Sequence, residues 1–497
     1  MVKSLDPRTP VIVGVGQVAN RPDRGDDEIE PIELVARAAR AAEADSGGAG
    51  VLAALDSVRV VKLLSWRYRD PGRLLAERVG AAPRQSLYST DGGQTPQAIV
   101  NRTAVEIAAG DLDVALLCGG ETWRTRQRYR QAGEVPPWTP LDESTPAAET
   151  FGAELDMVGA AELARGLLMP VQFYALFEVA LRAAAGRSPD EHRAHLGRLW
   201  SRFSEIAAAN PNAWLQKVMT PEEAVTPTPD NRLIGYPYTL VMNSNNNVEQ
   251  ASAVLLCSAE KADALGVPRD RWVFPLAGAE ANDSAHVSHR IDLCSSPAIR
   301  SAGRALFSSV GVGVDDLGPV DLYSCFPSAV QIAADELGLG TDRDLTVTGG
   351  MGFAGGPWNN YATHGIATMV DRLRAEPGAI GLCTANGGLT TKHALGLYST
   401  EPPAQPFARL VTQDEADAAP RRDVVGDDHE GPITVEAYTV MHGRDGTREV
   451  GFVAGLLADG RRTWCSSNDA DLLATLVAEE CCGRSAHRRA DGTVALA

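Results

Sequence analysis

Hydrophobic positions change their period several times along the chain, and the changes mark its elements. The run PVIVGVGQV (10–18) is continuously apolar over a strand's length, whereas IELVARAARAAEAD (32–45) repeats apolar residues at helical spacing. LDSVRVVKLLS (55–65) predicts another strand region. The short run SLYS is followed by TDGGQTPQAIV (90–100), a polar, glycine-rich break that opens onto PQAIVNRTAVEIAAG (96–110). That last run has the spacing of a helix with Val100, Ala104, Ile107 and Ala108 turned inward. LDVALLCGGETW (112–123) then predicts a buried strand stopped by glycines. Strands alternating with helices in this way indicate an α/β sheet covered on both faces.

From about 121 to 238 the strand pattern is absent, and MPVQFYALFEVALRAAAG, PDEHRAHLGRLWSRFSEIAAANP and TPEEAVTP predict a helical excursion with prolines as stops. NVEQASAVLLCSAEKADALG (247–266) is expected to return as a helix and then a strand. A second α/β series follows, from WVFPLAGAE (272–280) to AIGLCTANGG (379–388), and VALLCGG and AIGLCTANGG each end a buried strand with Cys and a glycine break. This echo suggests two similar halves. Beyond STEPPAQPF the runs ITVEAYTVMH, REVGFVAGLLA and RRTWCSS alternate as strands, with Asp445-Gly446, Asp459-Gly460 and Asp491-Gly492 as hairpin signals. The expected organisation is an N-terminal half over 1–265 with a helical insertion at about 121–238, a second half over 266–405, and a small antiparallel β-domain over 406–497. Closing that domain into a barrel would remove its exposed edges.

A chain of 497 residues with 44% hydrophobic and 22% charged residues has the make-up of a globular protein of two or three domains. Its net charge of −18 argues against nucleic acid or an anionic membrane as partner, though not against a small anionic ligand. No apolar run approaches a membrane span. MVKSLDPRTP lacks the basic start and apolar stretch of a secretory signal, so a cytoplasmic location is expected. The eight cysteines form neither a C-x-x-C pair nor a zinc spacing, so reduced thiols and no metal site are expected.

Six stretches, in order, resemble the thiolase superfamily, above all its sterol-carrier type. ALLCGGET is similar to the family's AGGxE strand end, ANPNAWLQKVMTPEEA to its NPxA stretch, and NSNNNVEQASAVLL to NSSxxxDGAAAVLL. VDLYSCFPSAVQIAADELGL resembles the unit bearing NEAF or HDCF, GGMGFAGGP the GHP loop, and CTANGGLTTKHALGLYS the CxG region. The resemblance covers about residues 8–400. It implies a duplicated thiolase fold, two βαβαβαββ halves with a helical loop insertion, here with an extra OB-like β-domain. It also implies a pocket for the acyl-pantetheine arm of coenzyme A.

In that family a cysteine at a helix N-terminus takes the acyl group, a His of the GHP loop serves as its base, and a second cysteine moves the other proton. In this chain the nucleophile's place falls on Gly92 or Gly93, the GHP histidine's on Gly356, and the CxG cysteine's on Ala385, while Tyr323 and Ser324 open the NEAF/HDCF stretch. Cysteine-dependent thiolase activity is therefore expected to be absent, although family likeness alone would suggest an acetyl-CoA acetyltransferase. The expectation is a protein of lipid or acyl-CoA metabolism that binds a coenzyme A thioester and carries no covalently bound cofactor. Binding residues would be Gly92, Gly93, Asn245, Asn246, Gly355, Gly356, Asn359, Gly387 and Gly388.

Two alternatives stay open. In one, the chain cleaves C–C bonds by retro-aldol chemistry, or transfers acyl groups, without a cysteine. Tyr323 would act as acid or oxyanion donor and His393 as a second donor. In the other, it is an interaction scaffold with no ligand. Tyr323 also has a plain structural reading, as do His364 and His393, and Cys118, Cys325 and Cys383 read as packing. Asp91 is expected to cap the following helix. Family analogy implies a homodimer, and the added β-domain leaves a monomer open.

Overall fold

The computed structural model describes residues 5–497. The apolar runs of both series assemble into two sheets built to one plan. In the first, the strands Pro10–Ala19, Glu249–Ser258, Val114–Thr122, Ser57–Val60, Gln85–Ser89 and Glu149–Phe151 lie side by side in that order. Glu249–Ser258 is antiparallel to both of its neighbours, and from Val114–Thr122 outward all pairings are parallel. The second sheet repeats this as Phe274–Asn282, Lys392–Ser399, Ile380–Gly387 and Leu317–Asp321, with Ala408–Val411 added beside Phe274–Asn282. Residues 408–411 thus belong to the second sheet rather than to the β-structure that follows it.

Two helices, Thr95–Ala109 and Tyr361–Ala375, lie between the sheets and contact strands of both. That position explains why their apolar faces are so broad: Ile99, Val100, Ile107, Ile366, Met369 and Val370 are fully buried, though Ala108 is only half-buried. Pro31–Ser46 covers the outer face of the first sheet and Pro297–Val310 that of the second. The result is a helix–sheet–helix–sheet–helix stack, as expected for the duplicated fold.

The excursion is mainly helical, with Pro170–Ala184 and Pro189–Ala209 as its long members. Its strands correct the sequence reading. Glu149–Phe151 joins the open edge of the first sheet, and Leu233–Gly235 pairs with Tyr238–Thr239 and, at Gly235, with Met441 of the C-terminal sheet. These pieces are too short to carry a period of two. Residues 249–264 also run as a strand and then a short helix, the reverse of the expected order.

After residue 430 the chain forms an antiparallel sheet in the order Arg462–Ser467, Arg448–Leu456, Gly431–His442, Ser485–Arg488, Val494–Leu496. Its ends approach each other, with Ser466 N–H donating to the Gly492 carbonyl at 3.1 Å. The helix Ala470–Ala478, unforeseen in the sequence, packs on it. One hydrophobic core runs from this sheet through Pro170–Ala184 to the outer face of the second sheet, so the addition is not a loose appendage. Among the described residues no helix is long and apolar enough to cross a membrane.

Candidate functional site

The strand Gln85–Ser89 delivers the chain to the break at 90–94, and the helix Thr95–Ala109 starts behind it. Gly92 takes φ +148°, a value side chains rarely adopt, and the turn is closed by Thr95 Oγ donating to the Gly92 carbonyl at 2.8 Å. The Gly92 N–H donates to Asn359 Oδ1 at 3.0 Å, which ties the break to the glycine-rich loop. Asn359 Nδ2 in turn donates to Asp91 Oδ1 and to the Lys62 carbonyl, both at 3.1 Å. Asp91 does not cap the helix. The helix begins four residues later, with Gln94 as cap residue, and the Asp91 carboxylate pairs with Lys62 Nζ at 2.9 Å instead.

The space a nucleophilic side chain would need is filled. A Cβ added to Gly93 would overlap the Tyr323 hydroxyl and stand 2.6 Å from Tyr323 Cζ and 2.5 Å from the Asn386 carbonyl oxygen. A Cβ on Gly92 would overlap Gln94 Oε1 and stand 2.9 Å from Lys392 Nζ. Gly356, expected at the place of the base, is also closely surrounded by side chains. A Cβ on Gly356 would overlap Ser244 Oγ and lie 3.0 Å from Asn246 Oδ1, while the Gly356 N–H is engaged by the Asn245 carbonyl at 2.9 Å. Gly355 is hemmed in by Gln250. Ala385 is buried in the strand Ile380–Gly387, paired with Ala394.

Around Gly93 the structure gathers Tyr323, Asn386, Gly387, Gln94 and Lys392. Tyr323 stands edge-on to Tyr361 with centroids 5.5 Å apart, and its hydroxyl has no hydrogen-bond partner among the described residues. Burial, reinforced by Cys325 and neighbouring tyrosines, raises its pKa well above the usual value, so at neutral pH it is a proton donor and not a base. Lys392 is buried and donates to the Asp91 carbonyl at 2.6 Å, and burial lowers its pKa against the pull of Glu154 and Asp91. Gln94 Oε1, Asn386 Oδ1 and Thr390 Oγ are buried without partners in the same region. Gly388 closes the strand end under Met157.

The turn after Gly387 is held from behind. Tyr174 Oη donates to the Gly388 carbonyl and accepts from Asn386 Nδ2 and the Thr390 N–H, each at 3.0 Å. Arg290 donates to the Leu389 carbonyl at 2.7 Å and to Thr391 Oγ at 3.1 Å. Arg462, from the C-terminal sheet, is fully buried and donates to the carbonyls of Val287, Ser288 and Arg290 while pairing with Glu436 at 2.6 Å. The added sheet is therefore one residue removed from the turn that lines the site.

The two histidines lie elsewhere. His393 faces Asp283, 3.2 Å away, beneath the start of Pro297–Val310. It shares its strand face with Leu395 and Leu397, and Lys392 shares the opposite one with Ala394 and Tyr398, which lie between the sheets. This alternation is readable in TTKHALGLY and would have singled out Lys392. His364 bonds Gln17 through Nδ1 at 2.9 Å, and burial pushes its pKa down to about 3. Burial also pushes the Cys325 thiol up to about 12 and raises those of Cys118 and Cys383, so none is a thiolate at neutral pH.

The comparisons agree with this geometry. Residues 412–493 match the family described as "Thiolase-like protein type 1 additional C-terminal domain". No curated protein sequence matches. A monomeric SCP2-thiolase-like protein type 1 from Mycobacterium smegmatis is 33% identical, covers 99% of this chain and 100% of its own, and superposes with a TM-score of 0.84. Two more distant structures share the fold over 80% of this chain. The Ltp2-ChsH2(DUF35) aldolase is 20% identical, over 99% of its own chain, with a TM-score of 0.60. The dimeric peroxisomal thiolase of Saccharomyces cerevisiae is 14% identical, over 98% of its own chain, with a TM-score of 0.56. At one-third identity over its whole length to the first of these, this chain belongs to the SCP2-thiolase-like proteins of type 1, within the thiolase superfamily.

Proposed function

We propose that the chain binds a coenzyme A thioester of lipid metabolism and performs no cysteine-dependent thiolase reaction. The observation that carries this reading is the closure of the nucleophile's place: Tyr323 and the Asn386 carbonyl occupy what a side chain at residue 93 would need. The unpaired Gln94 Oε1, Asn386 Oδ1 and Thr390 Oγ beside it favour a polar ligand over an apolar filling. Thermal unfolding against short, long and steroid acyl-CoA esters tests the reading. A ligand at about 100 times its Kd stabilises by roughly 2.7 kcal/mol, enough for a shift of a few degrees. No shift with any ester sinks the proposal and leaves the interaction scaffold.

A second reading, cysteine-independent C–C bond cleavage or acyl transfer, is favoured by one feature. The Tyr323 hydroxyl is protonated and unpaired, so it is free to donate to a substrate carbonyl, with buried Lys392 supplying positive charge nearby. The aldolase among the structures of similar fold fits this chemistry by its name alone. Turnover of a β-hydroxyacyl thioester that is lost in Tyr323→Phe, with thioester binding retained, would establish it.

We further propose that the chain is a cytoplasmic monomer. Glu149–Phe151 covers the strand Gln85–Ser89, so the first sheet ends in three residues instead of a long open edge. The relative from Mycobacterium smegmatis is monomeric. Sedimentation of the purified protein tests the association state.

A further inference from the structure

The segment WRTRQRYRQA carries four arginines on the helix Trp123–Ala132, and the helical period sorts them into two sets. Arg124 and Arg128, four apart, end on Asp23 and Glu28. Arg126 and Arg130 share the other face with Trp123 and Gln127, and neither forms an ion pair among the described residues. That face closes over the segment Leu64–Arg67, where Arg67 is likewise unpaired, and together they bound a cavity of about 480 Å³. Its volume is that of a small-molecule site.

In a chain of net charge −18, three arginines line one cavity whose lining includes no carboxylate. Two indoles complete the wall, and both are fixed in advance. Trp66 Nε1 donates to the Thr139 carbonyl at 2.7 Å, and its ring stands edge-on to Trp138 at 5.3 Å. Trp123 stands edge-on to Trp358 at 5.0 Å. Arg126 already lies over the Trp66 ring, with its guanidinium carbon 5.6 Å from the centroid. The floor is rigid, because the Leu64 and Ser65 N–H groups both donate to buried Glu121 at 2.7 Å. The cavity opens beyond the carboxyl ends of the parallel strands Ser57–Val60 and Val114–Thr122, where α/β sheets take their ligands. It shares no lining residue with the site around Gly93.

We propose that this cavity binds a small phosphate ester carrying a flat ring, of the nucleoside monophosphate class. Planar, multi-donor guanidinium groups match a phosphate dianion with three acceptor oxygens, and the charge they bring exceeds what one carboxylate neutralises. The ring lies against Trp66 and Trp123. The site is separate from thioester binding, so either reading stands if the other fails.

Calorimetric titration of the full chain with AMP, adenosine and inorganic phosphate tests it. The expected result is saturable AMP binding, with adenosine and phosphate each weaker by about tenfold or more, since each offers only half of the recognition. Arg126→Gln with Arg130→Gln should weaken AMP by at least about tenfold while leaving thermal stability and any thioester-induced shift unchanged, because both side chains reach solvent. Trp66→Phe should weaken AMP but spare phosphate. The proposal is overturned if AMP fails to saturate, if it binds the double variant as tightly as the parent, or if the double substitution instead abolishes a concentration-dependent self-association.

Discussion

Restoring the missing cysteine should not restore a thiolase. In Gly93→Cys the new Cβ meets the Tyr323 ring at 2.6 Å and the Asn386 carbonyl oxygen at 2.5 Å, where ordinary contact begins near 3.4 Å. The tyrosine sits in a packed wall against Tyr361, and the carbonyl belongs to the strand Ile380–Gly387, where Asn386 pairs with His393. Neither can rotate aside, so one of them must move by roughly an ångström, and overpacking of this kind costs about 1–3 kcal/mol. A cost of that size should lower the melting temperature by several degrees. Tyr323→Ala in the same chain removes the ring but not the carbonyl, so it should recover part of the loss and no more. Mass spectrometry of the intact variant after incubation with acetyl-CoA should show no acyl adduct. The thiol gains from the helix N-terminus, but glycine at 356 supplies no base to it. A Gly93→Cys protein as stable as the parent that accumulates an acyl adduct would refute the argument that the site is closed.

Arg462→Gln should destabilise the chain by about 3–5 kcal/mol, because it strips Glu436 and three carbonyls of one buried cation; Arg462→Lys should recover little. Chemical denaturation followed by tryptophan fluorescence measures both, and a loss confined to the added sheet would contradict its shared core. Asn359→Ala leaves the Gly92 N–H without its acceptor, at a cost of about 1–3 kcal/mol, and hydrogen exchange at Gly92 to Gln94 should quicken with little change in the sheets. His364 is held near pKa 3 by burial while an unfolded histidine titrates near 6.5, so the unfolded state takes the proton first. Its contribution is intact above about pH 6.5 and is lost as pH falls toward 3. His364→Gln should therefore flatten the acid limb of stability against pH, and an unchanged limb would show that the ring is protonated in place.

The layered fold was legible because each buried strand is an apolar run and each covering helix keeps its period, and because the second series repeats the first. What escaped was made by pairing. Glu149–Phe151 has too few residues to show alternation, and only its place beside Gln85–Ser89 makes it a strand. The small residues at 92, 93, 356 and 385 were readable, since a glycine or alanine can be recognised where it stands. What surrounds them was not, because Tyr323 reaches Gly93 from the other half of the chain. Asp91 looked like a cap by composition alone, but its carboxylate is engaged by Lys62, and Gln94 takes the cap position. His393 was expected as a second donor, but its strand face turns to Asp283, and the opposite face brings Lys392 beside Gly92.

The region around Gly93 is firmly held. The turn after Gly387 is fixed by Tyr174 and Arg290, and Arg290 by the segment that Arg462 grips from the added sheet. The break at Gly92 is likewise tied by Asn359 to Asp91 and Lys62. Tyr174, Arg290, Arg462 and Asn359 are buried polar or charged groups, which add little net stability unless every partner is met. Maintaining them around three unpaired polar atoms is costly for a scaffold and useful for a site that must present Gln94, Asn386 and Thr390 to something polar. On the proposed reading the added sheet braces the thioester site, and the first test of that view is whether Arg462→Lys, if it folds, loses the thioester-induced shift before it loses the fold.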